Sequence, residues 1–334
     1  MKLRNDKILW TISFLLVSVG LIRWSGWSTS QISLTNSYLP PFQHHLYWLG
    51  TDRLGRDVSA MLLSGYETTI LISLPIMLLA AGIGIVLGGL AGYFQKVRIY
   101  LLAFLLKVIV VGCLLWEIYI TIEAASLGNA SIYGWLFICL LGLIWAMIHF
   151  LQRKWEKLSF WAFYLPVDQL FIRLTELLSS VPRLVLILCL ATLLRPSYFN
   201  FGFVVLITYW IPAARLMRAE VLRIKQQYYI EAAKANGLQD FYILWKHALP
   251  NALPTIRISF VFGLASLIIL ESTLSFLGVG LPPETVSWGK MIAQNYQDGQ
   301  HWWLTFFPVL GLLLVIGSLH YLADYWQEGG RKWW

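Results

Sequence analysis

The stretch ETTILISLPIMLLAAGIGIVLGGLAGYF, residues 67–94, is apolar at nearly every position. A helix of this composition is long enough to cross the roughly 30 Å hydrocarbon core of a bilayer, which takes about 20 apolar residues. The whole chain has the same character, since 58% of its 334 residues are hydrophobic and 13% are charged. Soluble proteins carry about 25% charged residues. The sequence therefore predicts a membrane protein built from helices.

Seven further apolar runs are long enough to span a bilayer, so we expect eight transmembrane helices in all. The first run follows Lys2, Arg4 and Lys7, and large residues stand where a signal peptide would carry its small-residue cleavage site. We therefore expect an uncleaved first span rather than a signal peptide. The seven runs are residues 8–24, 99–120, 132–150, 178–195, 201–220, 256–280 and 303–322.

Basic residues are concentrated in alternate loops. Lys and Arg gather between residues 95 and 98, 153 and 173, and 215 and 246, whereas the other loops are roughly neutral. Loops rich in Lys and Arg remain in the cytoplasm, so we expect a multi-pass protein of the cell membrane with both termini cytoplasmic. The same loops account for the net charge of +8, which therefore does not indicate nucleic-acid binding.

The expected organisation is a polytopic all-α fold without a separate soluble domain. The first span and a long outer segment occupy residues 1–66, and a transmembrane domain occupies residues 67–325. A cytoplasmic tail follows at residues 326–334.

The long cytoplasmic segment, residues 221–255, predicts two short helices. Ala-rich residues 230–236 favour a helix, Gly237 is expected to end it, and a second helix is expected over 239–248, stopped by Pro250. Apolar residues at three-to-four-residue spacing form a stripe on the second helix. Such a helix lies in the lipid interface or docks in a groove of a partner protein. Physical arguments alone do not decide between these two interpretations. The stripe comprises Leu238, Phe241 or Tyr242, Trp245 and Leu249.

The order Glu231-Ala232-Ala233, Gly237, Leu249-Pro250 resembles the EAA loop of ABC importer permeases. In that family the loop forms a coupling helix that sits in a cleft of the ATPase subunit. His247 departs from the frequent Ile of the consensus, and residues 247–251 look like the version found in dipeptide, oligopeptide and nickel permeases. The resemblance implies ATPase contacts for Glu231, Ala232, Ala233, Gly237, Leu238, Phe241, Trp245, His247, Leu249 and Pro250.

Two outer stretches resemble the same permease family. One is Leu49–Asp57, which reads LGTDRLGRD, and the other runs from Glu271 through the LSFLGVG of residues 274–280 to the Ser-Trp-Gly of residues 287–289. The likeness covers residues 1–94 and 165–325 and is greater to the C-type than to the B-type partner of the permease pair. Because the family normally has six spans, residues 97–160 look like an inserted pair of helices.

The resemblance also implies partners. A second permease subunit would complete a heterodimer, two ATPase subunits would bind ATP and Mg²⁺, and an extracytoplasmic binding protein would deliver substrate. The sequence itself contains no Gly-x-x-x-x-Gly-Lys-Ser/Thr motif, so a separate subunit must cradle the ATP phosphates. No catalytic cluster and no metal site is expected in this chain.

Several polar residues have both a functional and a structural interpretation. Asp52, Arg56 and Asp57 are candidates for the outer gate or for contact with a binding protein, or else form a local salt-bridged turn; Trp288 is a further gate candidate. Glu271 lies within a span, where ionisable residues are often functional, although a structural hydrogen bond is equally compatible. The alternatives to a peptide permease are a permease for nickel or another small solute, and a secondary transporter driven by an ion gradient.

Overall fold

The computed structural model of the protein describes residues 32–95, 97–100 and 162–331. The expected spans at 8–24 and 132–150, and nearly all of the span at 99–120, lie outside these residues. The chain divides into two compact units, one of residues 94–170 and one that contains the rest. The helices are α1 (Val58–Tyr93), α2 (Val167–Ser179), α3 (Arg183–Leu193), α4 (Tyr198–Lys225), α5 (Tyr228–Ala235), α6 (Asp240–Ile243), α7 (Leu249–Phe276), α8 (Trp288–Asp298) and α9 (Trp303–Arg331).

Helices dominate the described residues, which confirms the all-α membrane class. Four of these helical segments are long and apolar enough to cross a membrane, and a bent pair raises the number to five. The four overlap the runs expected at 67–94, 201–220, 256–280 and 303–322, and the bent pair, Val167–Ser179 with Arg183–Leu193, overlaps the run expected at 178–195. The helix α1 begins at Val58, nine residues earlier than its apolar run.

The expected continuous span at 178–195 is wrong in one respect, because it is broken. The helices α2 and α3 meet at a bend of 76°, where Pro182 cannot donate a helical hydrogen bond. Arg215 of α4 compensates by donating to the Thr175 carbonyl at 2.8 Å and to the Ser179 hydroxyl at 3.0 Å. The Arg215 side chain thus ties the last turn of α2 to α4.

The helices α1 and α4 pack closely along a row of glycines. Gly84, Gly88 and Gly92 recur every four residues on α1, so they share one face of the helix. A Cβ at Gly88 would lie 2.1 Å from the Ala214 carbonyl oxygen, and those at Gly84 and Gly92 would lie 2.8 and 2.7 Å from α4 carbonyl oxygens. Only hydrogen at these positions lets the two backbones approach this closely.

A buried polar contact ties α7 to α1. Glu271 is fully buried and accepts hydrogen bonds from Ser275 at 2.8 Å, from Thr69 of α1 at 3.2 Å and from Ser272 at 3.4 Å. The structure thus gives Glu271 the interhelical hydrogen bond that was one of its two interpretations.

The unit of residues 94–170 contains a two-stranded antiparallel ribbon. Strand β1 (Val97–Tyr100) pairs with β2 (Ala162–Leu165), with Val97 opposite Leu165 and Tyr100 opposite Ala162. The span expected to begin at residue 99 therefore starts as a strand, in a segment of β-branched and aromatic residues that favour this conformation. The inserted pair of helices itself remains a prediction.

We expect Gly88→Ala to destabilise the bundle, because its new methyl group would overlap the Ala214 carbonyl; overpacking of this kind costs about 1–3 kcal/mol. The measurement is the apparent melting temperature of the purified protein in detergent. Gly82→Ala on the same helix is the matched control, since nothing lies within 4 Å of its Cβ position. Equal melting temperatures for the two variants would contradict the close contact.

Candidate functional site

The loop of residues 226–248 between α4 and α7 is held to the bundle by one apolar face. Ile230, Ile243, Leu244 and Ala248 are each at most 1% exposed. Burying aliphatic side chains of this size contributes about 1.5–3 kcal/mol each. The loop is therefore fixed to the ends of the long helices rather than free to swing.

The other face of the loop exposes aromatic side chains. Phe241 is 58% exposed, Tyr242 49% and Trp245 48%, and the rings of Phe241 and Trp245 lie 6.0 Å apart. Leu238 is 41% exposed beside them in the sequence. We call Leu238, Phe241, Tyr242 and Trp245 the aromatic stripe.

Leu249 does not belong to this stripe, so that part of the expected pattern is wrong. It is 5% exposed, and its Cδ2 lies 2.8 Å from where a Cβ on Gly89 would be. The reason is a change of helical repeat: residues Leu244–Ala248 form a π-helical turn. An extra residue in the turn rotates everything after it relative to an α-helical count.

Pro250 does not stop the helix either, which corrects a second expectation. The segment from Asp240 continues through the π-helical turn into α7, where Pro250 occupies the first turn. A wide turn accommodates a residue that lacks an N–H and whose ring crowds the preceding carbonyls. Pro250 lines a cavity of about 510 Å³ with Tyr229, Asn251 and Trp326, and half-buried His247 accepts a hydrogen bond from Asn251 through its carbonyl at 2.8 Å.

Gly237 ends α5 as expected. Its φ is +79°, and the main-chain N–H groups of Gly237 and Leu238 donate to the Lys234 and Ala233 carbonyls at 2.9 and 3.2 Å. This left-handed cap is the usual way to satisfy the last carbonyls of a helix. It leaves Glu231 and Ala232 exposed and Ala233 half-buried on α5.

The segment of residues 32–57 lies at the opposite end of α1, about 54 Å away for 36 helical residues. Asp52 is 1% exposed and accepts from the N–H groups of Leu54 and Arg56 at 2.9 and 2.8 Å. The Arg56 guanidinium pairs with it at 2.6 Å. Asp57 accepts from the Ser59 N–H at 3.0 Å at the start of α1. The structure thus favours the local-turn interpretation of these residues.

Two buried tryptophans join segments at the outer end of α1. Trp288, only 3% exposed, donates to the Leu62 carbonyl at 2.9 Å, and Trp303 donates to the Thr51 carbonyl at 3.2 Å. Trp288 was expected as a gate residue, yet its side chain is a fixed bridge between α1 and α8. The Trp303 contact joins residues far apart in sequence, which no local pattern indicates.

Lys290 on α8 forms hydrogen bonds with the loop that precedes α8. Its ammonium group donates to the carbonyls of Pro282, Pro283 and Thr285. Burial lowers the pKa of Lys290, and the nearby carboxylates of Glu284 and Glu271 act in the opposite direction. This segment is therefore held by polar contacts as well as by Trp288.

Glu67, which no sequence pattern singled out as functional, lies nine residues inside α1 rather than at its start. It lines a cavity of about 400 Å³ with Leu71, Pro75 and Tyr198. Its position at the edge of the apolar run concealed it, because a carboxylate there looks like an interfacial residue.

We expect Gly237→Val to disorder the junction of α5 and α6, because a left-handed backbone costs an L-residue about 1–2 kcal/mol and Gly237 has φ +79°. Gly237→Asn should be much milder, since Asn tolerates this conformation. The measurement is the rate of proteolysis between residues 226 and 248 in membrane vesicles. Space is not the cause, because nothing lies within 4 Å of the Cβ position; equal rates for the two variants would contradict the expectation.

We expect Arg56→Gln to lower the apparent melting temperature, because it leaves the Asp52 carboxylate, 1% exposed, without its charged partner; an unsatisfied buried group costs about 1–3 kcal/mol, more when charged. Arg53→Gln is the control, since Arg53 is exposed. If Arg53→Gln lowers the melting temperature as much as Arg56→Gln does, the Asp52–Arg56 pair makes no specific contribution to stability.

Comparison with known proteins agrees with this architecture. Residues 159–329, just over half of the chain, match the family model described as binding-protein-dependent transport system inner membrane component. The chain is 26% identical over 298 residues to the dipeptide transport system permease protein DppC of Bacillus subtilis, covering 89% of this chain and 71% of that protein.

Two further relatives are named for different cargoes. The chain is 28% identical to the probable D,D-dipeptide transport system permease protein DdpC of Escherichia coli, covering 88% of this chain and 75% of that protein. It is also 28% identical to the peptidoglycan transport system permease protein YejE of Agrobacterium fabrum, covering 82% of this chain and 55% of that protein. The family match includes α2 to α8, the 226–248 loop and nearly all of α9. This chain therefore belongs to the family of inner membrane components of binding-protein-dependent transport systems.

Proposed function

We propose that this chain is one permease subunit of an ATP-driven importer of short peptides. The observation that carries the proposal is the pair of faces on the 226–248 loop, one buried in the bundle and one exposing the aromatic stripe. Three relatives are named as transport system permeases for dipeptides, D,D-dipeptides and peptidoglycan. Short peptides are the cargo class that these names share most closely.

The aromatic stripe is the proposed contact for an ATPase subunit. Aromatic residues are enriched at protein interfaces because each buries a large area at small entropic cost. A helix in the lipid interface would carry a purely apolar face with basic residues beside it. Here Glu231 and Asp240 are exposed on the same loop together with Lys234 and Lys246, and such mixed charge favours a protein partner over an anionic membrane surface, which attracts clusters of basic residues.

The energy source is a separate subunit, because the sequence has no phosphate-binding loop. ATP and Mg²⁺ are bound by two ATPase subunits in this proposal. When they close on ATP, they displace the 226–248 loop, which is rigidly packed through Ile230, Ile243 and Leu244. The helices then rock as rigid bodies, so that the pathway opens alternately to each side.

The long helices present much apolar surface outward. Leu71, Leu78 and Leu79 of α1 and Leu313 of α9 are 57–64% exposed. Lipid covers part of this surface, and a second permease subunit covers another part and completes the pathway. An extracytoplasmic binding protein delivers peptide near the segments of residues 32–57 and 281–302. Both termini are cytoplasmic in this arrangement.

We expect the double variant Phe241→Ala/Trp245→Ala to lose its ATPase subunit on purification in mild detergent. Truncating two exposed aromatic residues at the centre of an interface removes about 2 kcal/mol or more for each hot-spot residue. The measurement is the amount of ATPase recovered per permease. Tyr296→Ala, at 79% exposed on α8, is the control and should retain it. Full recovery of the ATPase with the double variant would overturn the proposed docking surface.

A further inference from the structure

The last residue of α1 is hydrogen-bonded into the 226–248 loop. Tyr93, 3% exposed, donates from its phenol to the Asp240 carboxylate at 2.7 Å. Asp240 is the first residue of α6, which carries part of the aromatic stripe. The two residues are 147 positions apart in sequence, so the bond joins the loop directly to the long apolar helix α1.

Two lysines surround this bond. Lys225, the last residue of α4, donates to the Tyr93 carbonyl at 2.9 Å, where the end of a helix leaves carbonyls without partners. Lys234 of α5 lies 3.5 Å from Asp240. Both ammonium groups lie 5.4 Å from the centre of the Tyr93 ring, within the range of cation–π attraction. The end of α1 is therefore in contact with α4, α5 and α6 at once.

One turn earlier on α1, the contact with this region is apolar. Gly89 faces Leu249 and Leu244, and apolar contact has no preferred direction, so it resists sliding weakly. A hydrogen bond to a carboxylate is directional and short. The Tyr93–Asp240 bond therefore resists a displacement of α6 relative to α1 in a way that the apolar contact at Gly89 does not.

We propose that the Tyr93–Asp240 hydrogen bond is the link by which movement of the 226–248 loop is passed to α1, with Tyr93 as a positioning residue. This inference rests on the proposed function. Because α1 reaches Trp288 and the 32–57 segment at its other end, the link connects the ATPase side of the protein with the binding-protein side. Losing the link should uncouple the two ends without removing the docking surface.

The test uses the complete importer with spin labels at Leu87 of α1 and Leu313 of α9, which are 40% and 64% exposed, in a chain without its native cysteines. The inter-label distance is measured with and without a non-hydrolysable ATP analogue. Tyr93→Phe should reduce the population of the ATP-shifted distance roughly tenfold, as expected for loss of a hydrogen bond to a charged acceptor. Tyr321→Phe on α9 is the matched control.

A second set of variants separates the bond from charge and from folding. Asp240→Asn keeps an acceptor oxygen and should retain the shift, whereas Asp240→Ala should lose it although Tyr93 is intact. The double variant Tyr93→Phe/Asp240→Ala should be no worse than either single variant, because both remove one interaction. If Tyr93→Phe assembles poorly, the two Asp240 variants carry the same comparison.

The outcomes distinguish the link from the proposed function. If the unmutated protein recovers no ATPase and shows no ATP-dependent shift, the proposed function is wrong. If the unmutated protein shifts and both Tyr93→Phe and Asp240→Ala shift equally well, the link is wrong while the proposed function stands. Additive losses in the double variant would also overturn the link.

Discussion

The close approach of α1 and α4 is the constraint on which the rest of the structure depends. In a membrane, an apolar side chain gains little free energy when it exchanges lipid for a neighbouring helix. Helices therefore associate through close van der Waals contact. Glycines at positions 84, 88 and 92 provide that contact over more than two turns. They bring the end of α1 beside the end of α4, and the 226–248 loop is built on the platform that results.

Hydrogen bonds and an ion pair add to the contacts made by helix packing. At one end of α1, Trp288 and the Asp52–Arg56 pair hold the outer segments; at the other, Tyr93 and Lys225 hold the loop. Between α7 and α1, the fully buried Glu271 bonds to Thr69. The Asp52–Arg56 pair shapes a local turn, whereas the bonds of Trp288, Tyr93, Lys225 and Glu271 join distant parts of the sequence and fix one helix relative to another.

The membrane class, the apolar spans of the described residues and the break at Gly237 could be predicted because each depends on neighbouring residues only. A run of apolar residues or a glycine cap is visible within a short window of sequence. The π-helical turn at Leu244–Ala248 was not predictable in this way, since it depends on packing against α1. It reversed the orientation assigned to Leu249 and allowed Pro250 within a helix. Tyr93 and Trp303 were missed for the related reason that their partners lie far along the chain.

The ribbon of β1 and β2 has a consequence for the chain between its two strands. Tyr100 and Ala162 are paired neighbours, so the polypeptide departs and returns at almost the same point; antiparallel partners lie about 5 Å apart. Whatever lies between them can be lengthened, shortened or exchanged without rerouting the flanking backbone, much as a hairpin tolerates a change of turn. The paired strands therefore accept an intervening segment of any length, as long as its two ends lie close together.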